Sequence, residues 1–388
     1  MRKTPSIHVY LALSVLIFLV AFVLRVTAIH ENSYFSDEIT TVTTIQEVRQ
    51  GDTFYDAMKS HLHHMPLYFA SLLIYPDEHT PFSYRYPEVL WGILTIAMTM
   101  RILSYTYGLQ RYALLAGVIM AVQSYWVIRS RDVRMYAMGN FLMATVTYLF
   151  FRYIDTRHRA DPNINRFLFY IVSIFAYLIH IATVILLPAQ LLILAWFALK
   201  RRLPIWTIGQ WAFLQVIVFL PALLWILFGF HDAETGLNWI PALSVEQIMY
   251  VFNRLFVGST TEQNFGWYVI FVFPAFIGFI MSFKQIKYAG YWVGLTVLPF
   301  MGLLIISLLH PLFHERYLSI AFFAYVIVLI LGYKALDNIL IDRFKTIGQV
   351  IMWLIIGGHL LNVGSLTATH FQADYFATNY AKYGIDYV

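Results

Sequence analysis

The chain has 388 residues, 60% of them hydrophobic and 12% charged, with a formal net charge of +5 and no cysteine. That charged share is about half of what a soluble domain carries, and the lack of cysteine excludes disulfides, thiol catalysis and cysteine-ligated metals. Lys and Arg gather at the ends of apolar runs and form no continuous basic face, which argues against nucleic-acid binding.

The first apolar run, 7–29, follows MRKTPS. It is too long for the core of a signal peptide and has no small-residue cleavage site after it, so an uncleaved first span with its N-terminus inside is expected. In HENSYFSDEITTV (30–42) and the residues after it, a helix is predicted to open at Ser36, carry Asp37 and Glu38 in its first turn, and stop at Gly51. HHMPLYF (63–69) then brings His63, His64 and Tyr68 around the helix-starting Pro66. The apolar run 66–75 covers only about 15 Å, half of a hydrocarbon core, and reads as a re-entrant or surface helix. Further spans are expected at 83–104, 112–128, 133–153, 166–181, 182–198, 205–229, 266–283, 289–309, 317–334 and 347–367, about eleven in all. The expected fold is an all-α polytopic membrane protein, a single domain over 1–388. It has a partly helical first outer loop (30–82), a late outer loop (230–265) and no separate soluble domain.

The positive-inside rule decides which loops share a face. With this set of spans, RILSYTYGLQR, RYIDTRHRADPNINR, KRRLP, KQIKY and YKALDNILIDRFK all fall inside. The outer face then collects Asp37, Glu38, His63, His64, Arg85, Arg129, Arg131, Asp132, Arg134, His180, His310, His314, Glu315 and Arg316. Charge at a membrane boundary is costly unless solvated or paired. So mixed a set implies a polar cavity that opens outward.

Each group also has a plainer explanation. Acidic residues in a first turn complement the helix dipole, which accounts for Asp37 and Glu38 without chemistry. Consecutive helical residues point about 100° apart, however, so the two carboxylates should have separate tasks. One would face a reaction centre and the other a structural partner or a divalent metal. Glu38 with His64 is the candidate metal pair, the alternative being a hydrated loop anchored by Tyr68. RSRDVRMY (129–136) places Arg129, Arg131 and Arg134 on the outer face, against the usual charge bias. Together with Arg316 of HERY and Arg85, such guanidinium forks suit phosphate oxygens. Local pairing, Arg129 with Asp132 and Glu315 with Arg316, is the alternative. Tyr136, His180, His314 and Tyr317 are further candidates to line the cavity. No Gly-rich phosphate loop, Walker motif or Ser/His/Asp signature is present.

The ordered set SDE, HHMPLY, RYPEVLWGILT, RSRDVRMYAM and HPLFHERYLS resembles the GT-C integral-membrane glycosyltransferases. The branch it is similar to contains the protein O-mannosyltransferases, the lipid A aminoarabinose transferase and their bacterial relatives. HHMPLY matches that branch's His-Pro-Pro-Leu-Tyr segment with Met65 in place of the first Pro. RYP matches its Arg-x-Pro element, and DVRMYAM its Arg-x-Tyr segment. LNWIPALS and ERYLS are similar to its late features. The likeness runs over the whole chain and is strongest in 30–140.

The resemblance implies a GT-C bundle that transfers a sugar from a polyprenyl-phosphate donor at the outer face of a bacterial plasma membrane. It implies that Asp37 is the acidic catalytic residue, with Glu38 as its neighbour. The acceptor would be a cell-envelope glycan, lipid or protein. The larger members carry a soluble domain after the spans that this sequence lacks, which makes a protein acceptor the least expected of the three. Donor phosphate would meet Arg134, Arg316, Arg85 and Arg131, in an inverting single displacement. No cofactor is expected beyond a divalent metal. Two other classes compete. A transporter or flippase of lipid-linked saccharide would place ionisable groups near mid-membrane on several spans. A non-catalytic assembly or anchoring protein would bind without transferring.

Overall fold

A computed structural model describes residues 5–27, 29, 34–59, 64–75, 80–155, 162–229, 240–257, 270 and 272–370. Among these the chain is helical throughout, with no strand. The helices are α1 (Ile7–Val26), α2 (Ser36–Gln50), α3 (Phe54–Met58), α4 (Pro66–Leu72), α5 (Pro81–Tyr107) and α6 (Gln110–Val122). Then come α7 (Ser124–Arg129), α8 (Tyr136–Ile154), α9 (Pro162–Ile179), α10 (Leu186–Leu199), α11 (Trp206–Gly229) and α12 (Val245–Phe252). The last are α13 (Phe273–Met281), α14 (Ala289–Ile306), α15 (Glu315–Ser319) and α16 (Phe322–His370). A tight turn, Ile181–Ile185, leads into α10, and a wide one, Asn253–Val257, leaves α12.

Six segments among the described residues are long and apolar enough to cross a membrane: Ile7–Val26, Pro81–Tyr107, Ile181–Leu199, Trp206–Leu227, Ala289–Ile306 and Phe322–Ala368. Their outer faces are largely Leu, Ile, Val and Phe exposed around the bundle, as lipid contact requires. The centre follows a different rule. α8 packs against α5, α9, α10 and α16, so protein surrounds it and it can carry polar groups. Asn140 donates to the Ser319 carbonyl at 2.6 Å, and Thr147 shares a 2.8 Å bond with the Tyr291 hydroxyl.

The expected spans map onto these helices as follows. The stretch 112–128 is broken at Gln123, whose backbone turns extended between α6 and α7. Residues 266–269 and 271 of the expected span 266–283 lie outside the described residues, and Phe273–Met281 is helical. The spans 317–334 and 347–367 are the two helical arms of α16, which meet at the non-helical Lys345 and fold back there, since a Cβ on Gly348 would stand 2.2 Å from the Leu340 carbonyl oxygen. The charged linker 335–344 was expected as a loop, but it holds no Gly or Pro and stays helical. Tyr112 donates to Asp337 there at 2.7 Å. α4 is only seven residues long, about 10 Å, too short to cross. α13 lies close along α16 because Gly278 and Gly332 face each other: a Cβ on Gly278 would stand 2.5 Å from the Gly332 carbonyl oxygen, and one on Gly332 1.9 Å from that of Ala275.

α5 runs the height of the bundle and separates its two ends. Arg85 stands in its first turns and Tyr107 at its last residue. At the Tyr107 end, Tyr107 donates to the Lys287 carbonyl at 2.6 Å and Lys287 pairs with Asp155 at 3.0 Å. Tyr107, Asp155 and Lys287, which border three of the basic loops, therefore lie together at the end away from Arg85.

Candidate active site

The site begins with α2. Phe35, not Ser36, occupies the capping position, and Glu38 Oε2 accepts the Phe35 amide at 3.2 Å. The helix ends where Gly51 takes a φ of 119°, a left-handed turn that glycine adopts without penalty. Arg49, near that end, donates to the Tyr75 carbonyl at 2.6 Å and to the Tyr84 hydroxyl at 3.2 Å. α2 is thus fastened to the end of α4 and the start of α5.

Glu38 is buried and fully engaged. Arg85 Nε donates to Oε1 at 3.0 Å and Nη2 to Oε2 at 2.6 Å, while the Val133 amide donates to Oε1 at 2.8 Å. Arg85 also donates to the Ile29 carbonyl at 2.9 Å and lies over the Tyr34 ring. This fork joins the first loop, α5 and the 130–135 turn. Both Glu38 oxygens are therefore taken, and His64 lies against Arg134. Among the described residues no group of three or more His, Asp or Glu side chains is placed to hold a metal.

Asp37 turns the other way. Its Oδ2 meets Arg316 Nη1 at 2.5 Å. Arg134 reaches the same helix start, donating to the Asp37 carbonyl and to Thr41 Oγ1, each at 3.2 Å. Its other nitrogen stands 3.2 Å from His64 Nε2. Arg134 is buried, its Nε finds no hydrogen-bond acceptor, and its bonds go to neutral groups. Among the described residues no carboxylate is hydrogen-bonded to this guanidinium.

Behind this pair lies a second ionic group. Arg129 pairs with Asp132 at 2.7 Å. Arg129 and Arg254 also approach Glu315 Oε1, at 4.0 and 3.5 Å. His314 Nδ1 stands 2.9 Å from Glu315 Oε2 and accepts the Arg316 amide at 3.2 Å. Burial would raise the Glu315 carboxyl, but His314, Arg254 and Arg129 outweigh it and hold the pKa well below the usual carboxylate range.

The remaining expected residues are distributed as follows. The Tyr136 and His180 rings lie 6.1 Å apart at a tilt of 42°, with the Arg129 guanidinium over the Tyr136 ring. His180 Nδ1 also caps the Ile181–Ile185 turn by accepting the Ala182 amide. Tyr317 lies beside Tyr136, Arg316 and Asp37. Tyr68 is fully buried beside Glu88, away from solvent. Arg131 is buried near Arg25, and His310 is exposed at the end of α14. His63 lies outside the described residues.

Two arginines that the sequence reading did not single out are central. Arg254, in VFNRLFV, pairs with Glu315. Arg25, fully buried at the end of α1, supports the site from behind. The break at Gln123 strips three carbonyls of their helical partners. Arg25 donates to two of them, Met120 at 3.0 Å and Ala121 at 3.1 Å, and Thr367 donates to the third, on Val122. Gln123 spans the gap by donating to the Leu255 carbonyl at 2.9 Å. Arg25 Nε holds Ser130 Oγ at 2.7 Å, at the start of the turn that carries Asp132, Val133 and Arg134. Gly92 lets these groups approach α5, since a Cβ there would stand 2.4 Å from that of Ser130. A lone charge inside an apolar run is the signal that could have found both arginines.

No family model matches the sequence, and no curated protein does. Solved structures do. The structure of ArnT from Cupriavidus metallidurans in the apo state superposes with a TM-score of 0.58 over 95% of this chain and 76% of that one, at 12% identity. The same enzyme bound to undecaprenyl phosphate superposes with a TM-score of 0.59 over the same shares, at 13% identity. The chain has the ArnT fold. The polytopic helical bundle expected from the spans is that fold, and the likeness extends through nearly the whole chain rather than over a fragment of it.

Proposed function

We propose that this chain is a GT-C-type glycosyltransferase that takes a sugar from a polyprenyl-phosphate donor. The observation that carries the reading is Arg134: a buried guanidinium beside Asp37 whose hydrogen bonds, among the described residues, go to neutral groups alone. An uncompensated cation at a membrane boundary favours an anion, and a lipid phosphate supplies one without leaving the bilayer. The solved ArnT structure with undecaprenyl phosphate supports the same ligand class for this fold.

The chemistry follows from the charges. An acceptor hydroxyl gives its proton to Asp37 while its oxygen attacks the anomeric carbon. The bond from that carbon to the phosphate oxygen breaks, and its electrons pass to the departing lipid phosphate. Arg134 and Arg316 stabilise the charge that develops there. One displacement with a carboxylate base inverts the anomeric centre. Glu38 and Arg85 serve as scaffold, and no step requires a metal. The acceptor is a cell-envelope glycan or lipid, or less readily a protein. The site faces outward from a bacterial plasma membrane, at the end of the bundle away from the basic loops.

The test is binding of undecaprenyl phosphate to the purified full-length protein. Arg134→Ala should weaken it about thirtyfold, the loss of one charge-assisted contact, and Arg134→Lys should recover little. Unchanged affinity in both variants would remove Arg134 from the phosphate site. Transport of intact lipid-linked saccharide without bond cleavage would support the flippase reading instead.

A further inference from the structure

The ion pairs of the site differ in how open they are. Glu38 with Arg85, Arg129 with Asp132, and Arg254 with Glu315 are closed off on both sides. Asp37 with Arg316 is the open one: the Asp37 side chain keeps 32% of its surface exposed and that of Arg316 keeps 20%. A solvent-reachable pair contributes little to stability and can exchange partners at small cost, whereas a buried pair cannot.

The open pair also joins two distant parts of the chain. Asp37 opens α2, and Arg316 lies in α15, 279 positions later. Arg316 presents Nη1 to Asp37 and lies over the Phe35 ring. Arg134 grips the main-chain carbonyl of Asp37 and Thr41, not the Asp37 carboxylate. The carboxylate can therefore swing away from Arg316 without loosening the helix start that Arg134 holds.

We infer that Asp37 and a phosphate compete for Arg316, so that phosphate binding releases the Asp37 carboxylate to face an acceptor. This rests on the reading given under Proposed function and adds an order to it. Without a phosphate, Asp37 is held by Arg316 and is not available to a hydroxyl. When a phosphate takes Arg316, with Arg134 beside it, the carboxylate leaves with no covalent change. Donor binding then precedes acceptor activation, and water meets a bound donor only after the base is released. The device couples occupancy of the phosphate site to the presence of a working base. The ligand chemistry is a phosphate monoester or diester anion, and either a lipid or a free ion could present it.

A double-mutant cycle on phosphate affinity tests the exchange. The probes are undecaprenyl phosphate and inorganic phosphate, each titrated against full-length protein. Asp37→Asn removes the competitor, so undecaprenyl phosphate should bind about fivefold more tightly than to wild type. In the Arg316→Gln background the same substitution should change affinity by less than about twofold, because the gain runs through Arg316. A mere relief of negative charge near the ligand would persist in that background, and this outcome overturns the competition. Equal or weaker binding to Asp37→Asn overturns it as well. If inorganic phosphate shows the same cycle, the exchange belongs to phosphate itself; if only the lipid does, it needs the membrane-held ligand. Wild-type protein that binds neither probe would defeat the functional reading, and the exchange with it. Wild-type binding with a flat cycle would leave the functional reading standing and remove the exchange alone.

Discussion

Asp37 and Glu38 are neighbours in sequence but serve different partners: Glu38 sits in the buried fork of Arg85, and Asp37 meets Arg316 at an open edge. The first turn of α2 rotates one carboxylate from the other by about 100°. The same turn therefore offers one acid as scaffold and one as reactive group. Neither could take the other's place without moving the helix, because the Val133 amide and the Phe35 amide both point at Glu38.

The scaffold role has a measurable size. Removing one partner of a buried pair leaves the other charged and uncompensated, at a cost of about 3 kcal/mol or more. Glu38→Ala and Arg85→Ala should each lower the thermal midpoint of the detergent-solubilised protein sharply. The double variant should lose much less than the two single losses together. Additive losses would mean that the fork is not the unit described above.

Arg25 should behave differently, as a cation whose acceptors are carbonyls and a hydroxyl. Arg25→Met leaves the Met120 and Ala121 carbonyls without donors, which costs about 2 kcal/mol or more. Lysine cannot reach both carbonyls and Ser130 together, so Arg25→Lys should recover little of the loss. Hydrogen exchange should quicken first in 120–135, the break and the turn it supports. Faster exchange spread evenly over the bundle, with no bias to that segment, would show that Arg25 acts only on global stability.

The glutamate between Arg129 and Arg254 predicts an acid limb. The Glu315 pKa is depressed in the folded protein, against about 4.3 for an unperturbed glutamate. Its stabilisation is therefore complete above the unfolded value and is lost as the pH falls through that value toward the folded one. Wild type should melt at a higher temperature than Glu315→Gln near neutrality, and the gap should start to narrow near about pH 4 and go on narrowing as the pH falls further toward the depressed folded pKa. A constant gap down to acid pH would show that the Glu315 charge contributes nothing.

Much of this was readable from the sequence, and what was not has physical causes. Apolar run length indicated a helical bundle, because lipid leaves a backbone few other choices. Sidedness of the basic loops placed Asp37, Arg134 and Arg316 on one face, and the fold brings those three together. Which arginine takes which acid was not readable. Arg85 was expected at a phosphate and is found on Glu38, because pairing depends on side-chain reach across segments far apart in the chain. Arg25 and Arg254 were overlooked inside apolar runs, where hydropathy averages hide a single charge. The helical linker 335–344 was missed because its charges resemble a loop, although nothing in it breaks a helix.

Sidedness has a direct test, since the chain has no cysteine of its own. A cysteine replacing Ser33 should react with an impermeant thiol reagent in intact cells. One replacing Arg157, in a basic loop, should react only after the membrane is opened. Labelling at position 157 in sealed cells would reverse the orientation and place the site on the cytoplasmic face.

Asp37→Asn separates binding from chemistry. The amide has the shape of the carboxylate and can still accept a bond from Arg316, but it cannot take a proton from an acceptor hydroxyl. Turnover with a polyprenyl-phosphate sugar and a candidate acceptor should fall at least about a hundredfold, the low end of what a general base supplies. Folding should hold, since the open pair contributes little, and affinity for the lipid phosphate should rise. If Asp37 only complements the helix dipole, the outcome is the opposite: a small stability change and normal transfer. Normal transfer by Asp37→Asn would move the base elsewhere. Glu38 is then the next carboxylate to test, and because it is locked to Arg85 and Val133, its loss should unfold the site before it slows the reaction.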